Sequence, residues 1–66
     1  MLSNKTVIVT NISQQSLGLV AKNAGYNSYT HIWLKEGAQV TISEQALTPS
    51  MIALSSRQLI RINTGK

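Results

Sequence analysis

Two runs of strand-forming residues, separated by a short link that contains glycine, constrain this fold more than any other feature. The first run, Tyr29–Leu34, holds the chain's only tryptophan together with tyrosine, threonine and isoleucine, all favoured on a pleated sheet. The second run covers residues 38–42. Between them Gly37 can take the positive φ that a tight hairpin usually needs at one position. The pattern therefore predicts a central β-hairpin around which the remaining chain packs.

Alternation along the two arms assigns their side chains to opposite faces of the hairpin. Four aliphatic side chains form the expected inward set: Ile32, Leu34, Val40 and Ile42. Three side chains of the first arm lie on the opposite face and form what we name the aromatic stripe: Tyr29, His31 and Trp33. This stripe either packs under a loop predicted over residues 21–28, whose Tyr26 folds back onto the sheet, or it faces a partner.

The segment before the hairpin adds two more strand-forming runs. Residues 5–11 hold three β-branched apolar residues in succession, so this strand can be covered on both faces. Asparagine and serine over residues 11–15 predict a turn, because their side chains bond their own backbone. The run 16–20 follows, in which Gly18 indicates a bulge, a close backbone approach or a plain loop.

A helix start is the main signal after the hairpin. Thr48 followed by Pro49 is typical of an N-cap and a first helical residue, and predicts a helix over about 49–56. Two turns of helix are unstable alone, so this helix must cap the sheet. Residues 58–63 form a last strand. Four or five short strands with one helix before the last indicate a mainly β fold, a small β-barrel or compact β-sandwich, in one domain over 1–66.

The composition predicts a surface of neutral polar residues. Charged residues make up only 12% of the chain, about half the usual share, while the hydrophobic share of 42% is ordinary. Such a surface suits a protein covered by partners in an assembly, although a neutral soluble domain fits as well. The chain has no cysteine, so disulfides and thiolate metal sites are excluded. No secretory signal or long apolar run is recognised, so we expect a soluble intracellular protein without a membrane partner.

Titratable groups are too few to suggest catalysis. His31 is the only histidine, and Glu36 and Glu44 are the only acidic residues. They do not provide a histidine–carboxylate pair that could activate a serine, nor a set of metal ligands. The glycines do not have the spacing of a nucleotide-binding loop. We therefore expect no enzyme activity, no metal site and no cofactor.

The net charge of +4 keeps binding to nucleic acid open as an alternative. Small basic barrels stack bases on exposed aromatic residues, and Tyr26, Tyr29 and Trp33 could form such a platform, with lysines nearby in sequence. However, the six cations are scattered along the chain and do not alternate with the aromatic residues. An anchor in the core or at an interface is the commoner role for a single tryptophan.

Four motifs follow one another along the chain: V-I-V-T-N-I-S at 7–13, L-G-L-V at 17–20, L-K-E-G-A-Q-V-T-I at 34–42 and P-S-M-I-A-L-S-S-R-Q-L-I-R-I at 49–62. Their order resembles small β-rich structural proteins of tailed bacteriophages. In these proteins an opening strand ends in an Asn-Ser turn, and a hairpin carries a turn of leucine, then proline or a polar residue, then glycine. A short helix then begins near a proline before the last strand. Here the hairpin link lacks a proline, and Arg57-Gln58 stands where a glycine often precedes the last strand.

The resemblance implies a non-catalytic virion component, made in the host cytoplasm and held in many copies on a capsid, neck or tail. Its partners would be other virion proteins or copies of itself. Edge strands over 5–11 or 58–63 would extend a neighbour's sheet through main-chain hydrogen bonds. The side chains expected at the interface are Val7, Val9, Tyr26, Tyr29, His31, Trp33, Ile60 and Ile62. A small regulatory protein that inhibits a host factor is a third interpretation, which no residue excludes.

Overall fold

Five strands, one turn of 3₁₀ helix and one α-helix make up the described part of the chain. The computed structural model describes residues 5–23 and 27–64. The elements follow in the order β1 (Thr6–Asn11), β2 (Leu17–Lys22), β3 (Tyr29–Leu34), β4 (Gln39–Ser43), the 3₁₀ turn (Glu44–Ala46), α1 (Pro49–Ser56) and β5 (Ile60–Thr64). The predictions of a mainly β fold and of one short helix before the last strand are confirmed.

The strands form two open antiparallel sheets, so the closed-barrel alternative is wrong. The larger sheet has the strand order β4–β1–β5, and the smaller one consists of β2 and β3. The predicted central hairpin is also wrong, because its two arms, β3 and β4, lie in different sheets. Each arm pairs with an earlier strand instead, β3 with β2 and β4 with β1.

Main-chain hydrogen bonds at the end of β1 explain why the two arms separate. Gly37 has the expected positive φ, 77°. Its N–H, however, donates to the Asn11 carbonyl at 3.0 Å, and the Asn11 N–H donates to the Ala38 carbonyl at 2.9 Å. The chain after Gly37 is therefore held by β1, where Val40 lies opposite Val9. The turn redirects the chain from one sheet to the other instead of folding it back on itself.

One apolar cluster joins both sheets and the helix. Its buried members come from four strands, the 3₁₀ turn and α1: Val7, Val9, Leu19, Ala21, Leu34, Ala46, Met51 and Ile60. The predicted inward set is confirmed, since Leu34 is buried and its other three members are half-buried against this cluster. Ile8 lies on the other face of β1 and is half-buried there. The larger sheet therefore has one apolar and one mainly polar face.

Asn11, at the end of β1, connects the two sheets through its buried side chain, which is 1% exposed. Its Nδ2 donates to the Leu34 carbonyl of β3 at 3.0 Å and to the Gln15 carbonyl at 2.8 Å. Its Oδ1 accepts from the Ser13 N–H at 2.9 Å. The turn predicted over residues 11–15 is therefore confirmed, and its asparagine also joins the sheets.

The N-terminus of α1 lies where the sequence predicts it, because Thr48 acts as the cap. The Thr48 hydroxyl accepts from the Met51 N–H at 3.4 Å, and Pro49 occupies the first turn. The same hydroxyl donates to the Val20 carbonyl of β2 at 2.7 Å. One side chain thus starts the helix and fastens it to the smaller sheet.

The C-terminus of α1 is closed by a Schellman motif that has glutamine where glycine is usual. Gln58 has a φ of 63°, and its N–H donates to the Ser55 carbonyl at 3.0 Å. The Leu59 N–H donates to the Leu54 carbonyl, also at 3.0 Å, which completes the motif. Because these residues close the helix, the last strand begins at Ile60 and not at residue 58.

Candidate functional site

β3 presents the aromatic stripe on the surface. Trp33 is 70% exposed and Tyr29 is 57% exposed, and His31 between them is exposed as well. The alternative in which a loop buries the stripe does not hold for the described residues. Tyr26, which was expected to fold back onto the sheet, lies outside the residues that the structure describes.

The indole of Trp33 lies next to Gly18, its neighbour across the strands. Gly18 pairs with Trp33 in register, and a Cβ built on Gly18 would lie 3.7 Å from Cε3 of the indole. The register runs without interruption from the Leu17–Leu34 pair to the Lys22–Tyr29 pair, so β2 has no bulge at this glycine. The bulge and the plain loop are therefore wrong for Gly18, and the distance of 3.7 Å is an ordinary van der Waals contact.

One lysine shares the face of the aromatic stripe. Residues directly opposite one another in antiparallel strands lie on the same face, and β2 places Lys22 opposite Tyr29 and Val20 opposite His31. We name this surface the stripe face and define it by six residues: Gly18, Val20, Lys22, Tyr29, His31 and Trp33. None of the six is acidic, so the face combines aromatic surface with positive charge.

The register also determines which main-chain groups of β3 point away from β2. The N–H of Asn23 donates to the carbonyl of Ser28 at 3.0 Å, which makes these two residues a hydrogen-bonded pair. Hydrogen-bonded and non-hydrogen-bonded pairs alternate along antiparallel strands. The N–H and C=O groups of Tyr29, His31 and Trp33 therefore point away from β2, toward an edge where no described strand pairs. The stripe thus combines exposed side chains with outward main-chain groups.

The aliphatic residues expected at an interface lie mostly in the core. Val7 and Val9 are buried, and β1 is the central strand of its sheet. The prediction of an edge strand over 5–11 is therefore wrong, because β4 and β5 occupy its two sides. β5 is an edge strand among the described residues, but Ile60 is buried and Ile62 is half-buried.

The stripe face offers groups for contact more than groups for chemistry. It provides two aromatic rings, one imidazole, one ammonium and a row of main-chain donors and acceptors. Within residues 5–23 and 27–64, no three histidine, cysteine or acidic side chains lie close enough together to hold a metal ion. The helices in the same part of the chain are too short to cross a membrane.

Comparisons of the chain with protein-family models, with curated proteins and with solved structures gave no match. Function is therefore inferred below from the residues and their geometry.

Sequence reasoning missed two properties of this surface. It ended the strand before Ala21, although Ala21 and Lys22 continue the inward and outward alternation of Leu17 to Val20. Following that alternation would have extended β2 and placed Lys22 on the same face as Gly18. The outward main-chain groups of β3 depend on which strand pairs with which, and no local signal indicated that pairing.

Proposed function

We propose that this protein is a non-catalytic structural component of a tailed-phage particle, bound in many copies to neighbouring virion proteins. The observation that carries the proposal is the exposure of Trp33, 70%, beside Tyr29 on a strand whose main-chain groups also point outward. Tryptophan and tyrosine dominate the binding energy of protein interfaces, and large exposed apolar patches mark such interfaces. The stripe face is the surface that binds the neighbour.

The free energy gained by burying the two aromatic side chains supports binding to a partner. Burying a large apolar side chain contributes on the order of 2 kcal/mol, so Trp33 and Tyr29 together would contribute roughly 4 kcal/mol. A small domain gains nothing from leaving such surface in water. Removing it from water through a repeated contact gives each copy a defined place in an assembly.

The outer face of the larger sheet fits the same function. Ile8 lies at its centre, with Thr41 of β4 on one side and Asn63 of β5 on the other. The remaining residues of that face are mostly neutral and polar: Thr6, Thr10, Gln39, Ser43 and the single cation Arg61. Desolvating neutral polar residues costs less free energy than desolvating charges. A neighbouring protein in a crowded particle can therefore cover this face at a small cost.

Binding to single-stranded nucleic acid is the second candidate, and Lys22 is the observation that favours it. Its position opposite Tyr29 places an ammonium group next to one ring, on the same face as a second ring, Trp33, and bases could stack on both. One lysine would neutralise about one phosphate, so affinity for a single-stranded oligonucleotide should fall with salt at a logarithmic slope of about −0.7. An aromatic protein interface should show little salt dependence.

Incorporation of variants into particles tests the proposal. Trp33→Ala removes the proposed anchor, and Ile52→Ala on α1 is the matched control, since Ile52 is another large exposed side chain, 53% exposed. Tagged wild-type and variant chains are expressed during particle production, and their content in purified particles is compared. We expect the wild type and Ile52→Ala to be incorporated equally, and Trp33→Ala to be reduced about ten-fold or more, the loss expected for an anchor residue.

Two results would overturn this proposal. Equal incorporation of Trp33→Ala would remove the stripe face as the binding surface. A wild-type chain that stays out of particles but binds a single-stranded oligonucleotide with the salt slope given above would favour the second candidate. Circular dichroism of the purified variants ensures that each one is folded before incorporation is compared.

A further inference from the structure

A groove lies along β5. It has a volume of about 410 Å³ and is lined by Ile12, Ser55, Gln58, Ile60, Arg61 and Ile62. The larger sheet ends at β5, because no described strand pairs with its outer side. We name this outer side the β5 edge. It lies in a different sheet from the stripe face, so it is a separate surface.

The register shows which main-chain groups of β5 point outward from the sheet. The Ile12 N–H donates to the Leu59 carbonyl at 3.1 Å, which makes residues 12 and 59 a hydrogen-bonded pair. Because paired positions alternate, the N–H and C=O groups of Ile60, Ile62 and Thr64 point away from β1. These groups are spaced as an added strand requires.

Among the described residues that line the groove, Arg61 is the only charged one, and its charge is positive. Glu44 lies on the opposite side of the larger sheet from Arg61. The Glu44 N–H donates to the carbonyl of Lys5, just before β1, whereas Arg61 pairs with Thr10 near the other end of β1. Five residues of strand separate these positions on β1, about 17 Å, which is beyond the screening length of physiological salt. Glu36 does not line the groove either.

The positive charge of the chain and of Arg61 indicates which kind of partner the β5 edge binds. A second copy of the chain would bring another net charge of +4 against it. An extended segment with a carboxylate would complement Arg61, and alternate apolar side chains would rest on the half-buried Ile62. We propose that the β5 edge binds an extended acidic segment of a partner protein as a fourth, antiparallel strand of the larger sheet. This inference does not depend on the virion role, because it uses the main-chain edge of β5 and not the stripe face.

The geometry of antiparallel pairing fixes the sequence of a suitable probe. Residues of the added strand opposite Ile60 and Ile62 form hydrogen-bonded pairs, whereas the residue opposite Arg61 forms a non-hydrogen-bonded pair, in which side chains lie closest. The probe is the acetylated and amidated peptide Thr-Val-Glu-Val-Thr, whose glutamate faces Arg61 and whose valines face the isoleucines. Replacing its glutamate by glutamine tests the charge without any change to the protein.

N-methylation of the probe distinguishes strand addition from general adhesion. Methylation of both valine amides blocks the hydrogen bonds to β5 and is expected to weaken binding about ten-fold or more. Methylation of the backbone amides of the glutamate and of the last threonine places the methyl groups on the side of the probe that faces away from β5. This change should alter affinity less than about two-fold. Binding is measured by fluorescence anisotropy of a labelled probe against the complete chain.

Charge and location supply the remaining readouts. The glutamine probe should bind about three-fold more weakly than the glutamate probe, the size expected for an exposed ion pair. This difference should disappear in the Arg61→Gln variant, which is a suitable test because the Arg61 side chain is exposed. The amide NMR signals of Ile60, Ile62 and Thr64 should shift most on binding.

Three results would overturn the inference. The first is the absence of saturable binding up to about 1 mM probe. The second is equal weakening of binding by the two methylation patterns, and the third is a set of amide NMR shifts centred on Tyr29, His31 and Trp33 in place of β5. None of them bears on incorporation into particles, so failure here and failure of the proposed function are separable.

Discussion

Replacement of Asn11 by alanine is expected to break the polar connection between the two sheets. The Asn11 side chain is 1% exposed and donates to the carbonyls of Leu34 and Gln15 while accepting from the Ser13 N–H. Alanine can replace none of these hydrogen bonds. Gln15 and Ser13 lie near the surface, where water can take over, but the hydrogen bond to Leu34 is buried.

The magnitude follows from these environments. The Leu34 carbonyl keeps the Leu17 N–H of β2, because residues 17 and 34 form a hydrogen-bonded pair. The loss is therefore that of the three hydrogen bonds themselves, at about 0.5–1.5 kcal/mol each. We therefore expect the free energy of unfolding to fall by about 2–4 kcal/mol. A domain of 66 residues has a total stability of about 3–10 kcal/mol. The variant should thus lose a large part of its stability, with a fall in Tm of about 10 °C or more.

Urea unfolding followed by circular dichroism measures this loss. Asn63→Ala is the matched control, because Asn63 is an exposed asparagine on the outer face of the same sheet, and its replacement should cost less than about 0.5 kcal/mol. Asn11→Asp keeps the accepting oxygen but loses both donors, so it should be destabilised at least as much as Asn11→Ala. A loss below about 1 kcal/mol in Asn11→Ala, or one equal to that of the control, would refute the role of Asn11 as the connection.

Three further predictions concern the helix and its ends. Gln58→Gly should raise the free energy of unfolding by about 1 kcal/mol, because glycine takes the positive φ of 63° without strain. Thr48→Val should lower it by about 2 kcal/mol, because both the helix cap and the hydrogen bond to the Val20 carbonyl are lost. Met51→Ala should lower it by about 2–5 kcal/mol, since Met51 is 0% exposed, whereas Ile52→Ala should change it by less than about 0.5 kcal/mol.

The same urea titration checks all three, with one contrast for each. Gln58→Val should be destabilised, because a β-branched residue is strained at positive φ, and a stability gain in this variant would contradict the explanation for glycine. Thr48→Ser keeps a hydroxyl and should retain most of the stability. Equal losses in Met51→Ala and Ile52→Ala would show that the inward face of α1 is assigned wrongly.

Features set by neighbouring residues could be predicted from the sequence. The start of α1 follows from Thr48 and Pro49, which act within one helical turn. The positive φ of Gly37 and the turn at Asn11 are local in the same sense. The exposure of the stripe follows from alternation along β3 once the inward side is known.

Pairing between distant strands could not be predicted in the same way. The arms around Gly37 have the spacing of a hairpin, but competition from β1 decides the result, and β1 is more than twenty residues away in sequence. The sequence of an apolar strand such as residues 5–11 does not show whether the strand lies at the edge or in the centre of a sheet until its neighbours are known. For this reason Val7 and Val9 were expected at an interface and are instead in the core.

The main-chain groups at the sheet edges depend on the same long-range information. Which carbonyls of β3 and β5 point outward follows from the register, and a shift by one residue would reverse the assignment. The Schellman motif was missed because Gln58 occupies the position where glycine would have signalled it. Both candidate binding surfaces thus required the structure.

The most direct test of the proposed function is quantitative peptide mass spectrometry of density-purified phage particles from the source of this sequence, with copy number measured against a major shell protein. The account predicts that peptides of this chain are present in many copies per particle and at a constant ratio to the shell protein across the density peak. Absence of the chain from particles that contain the shell protein would contradict it.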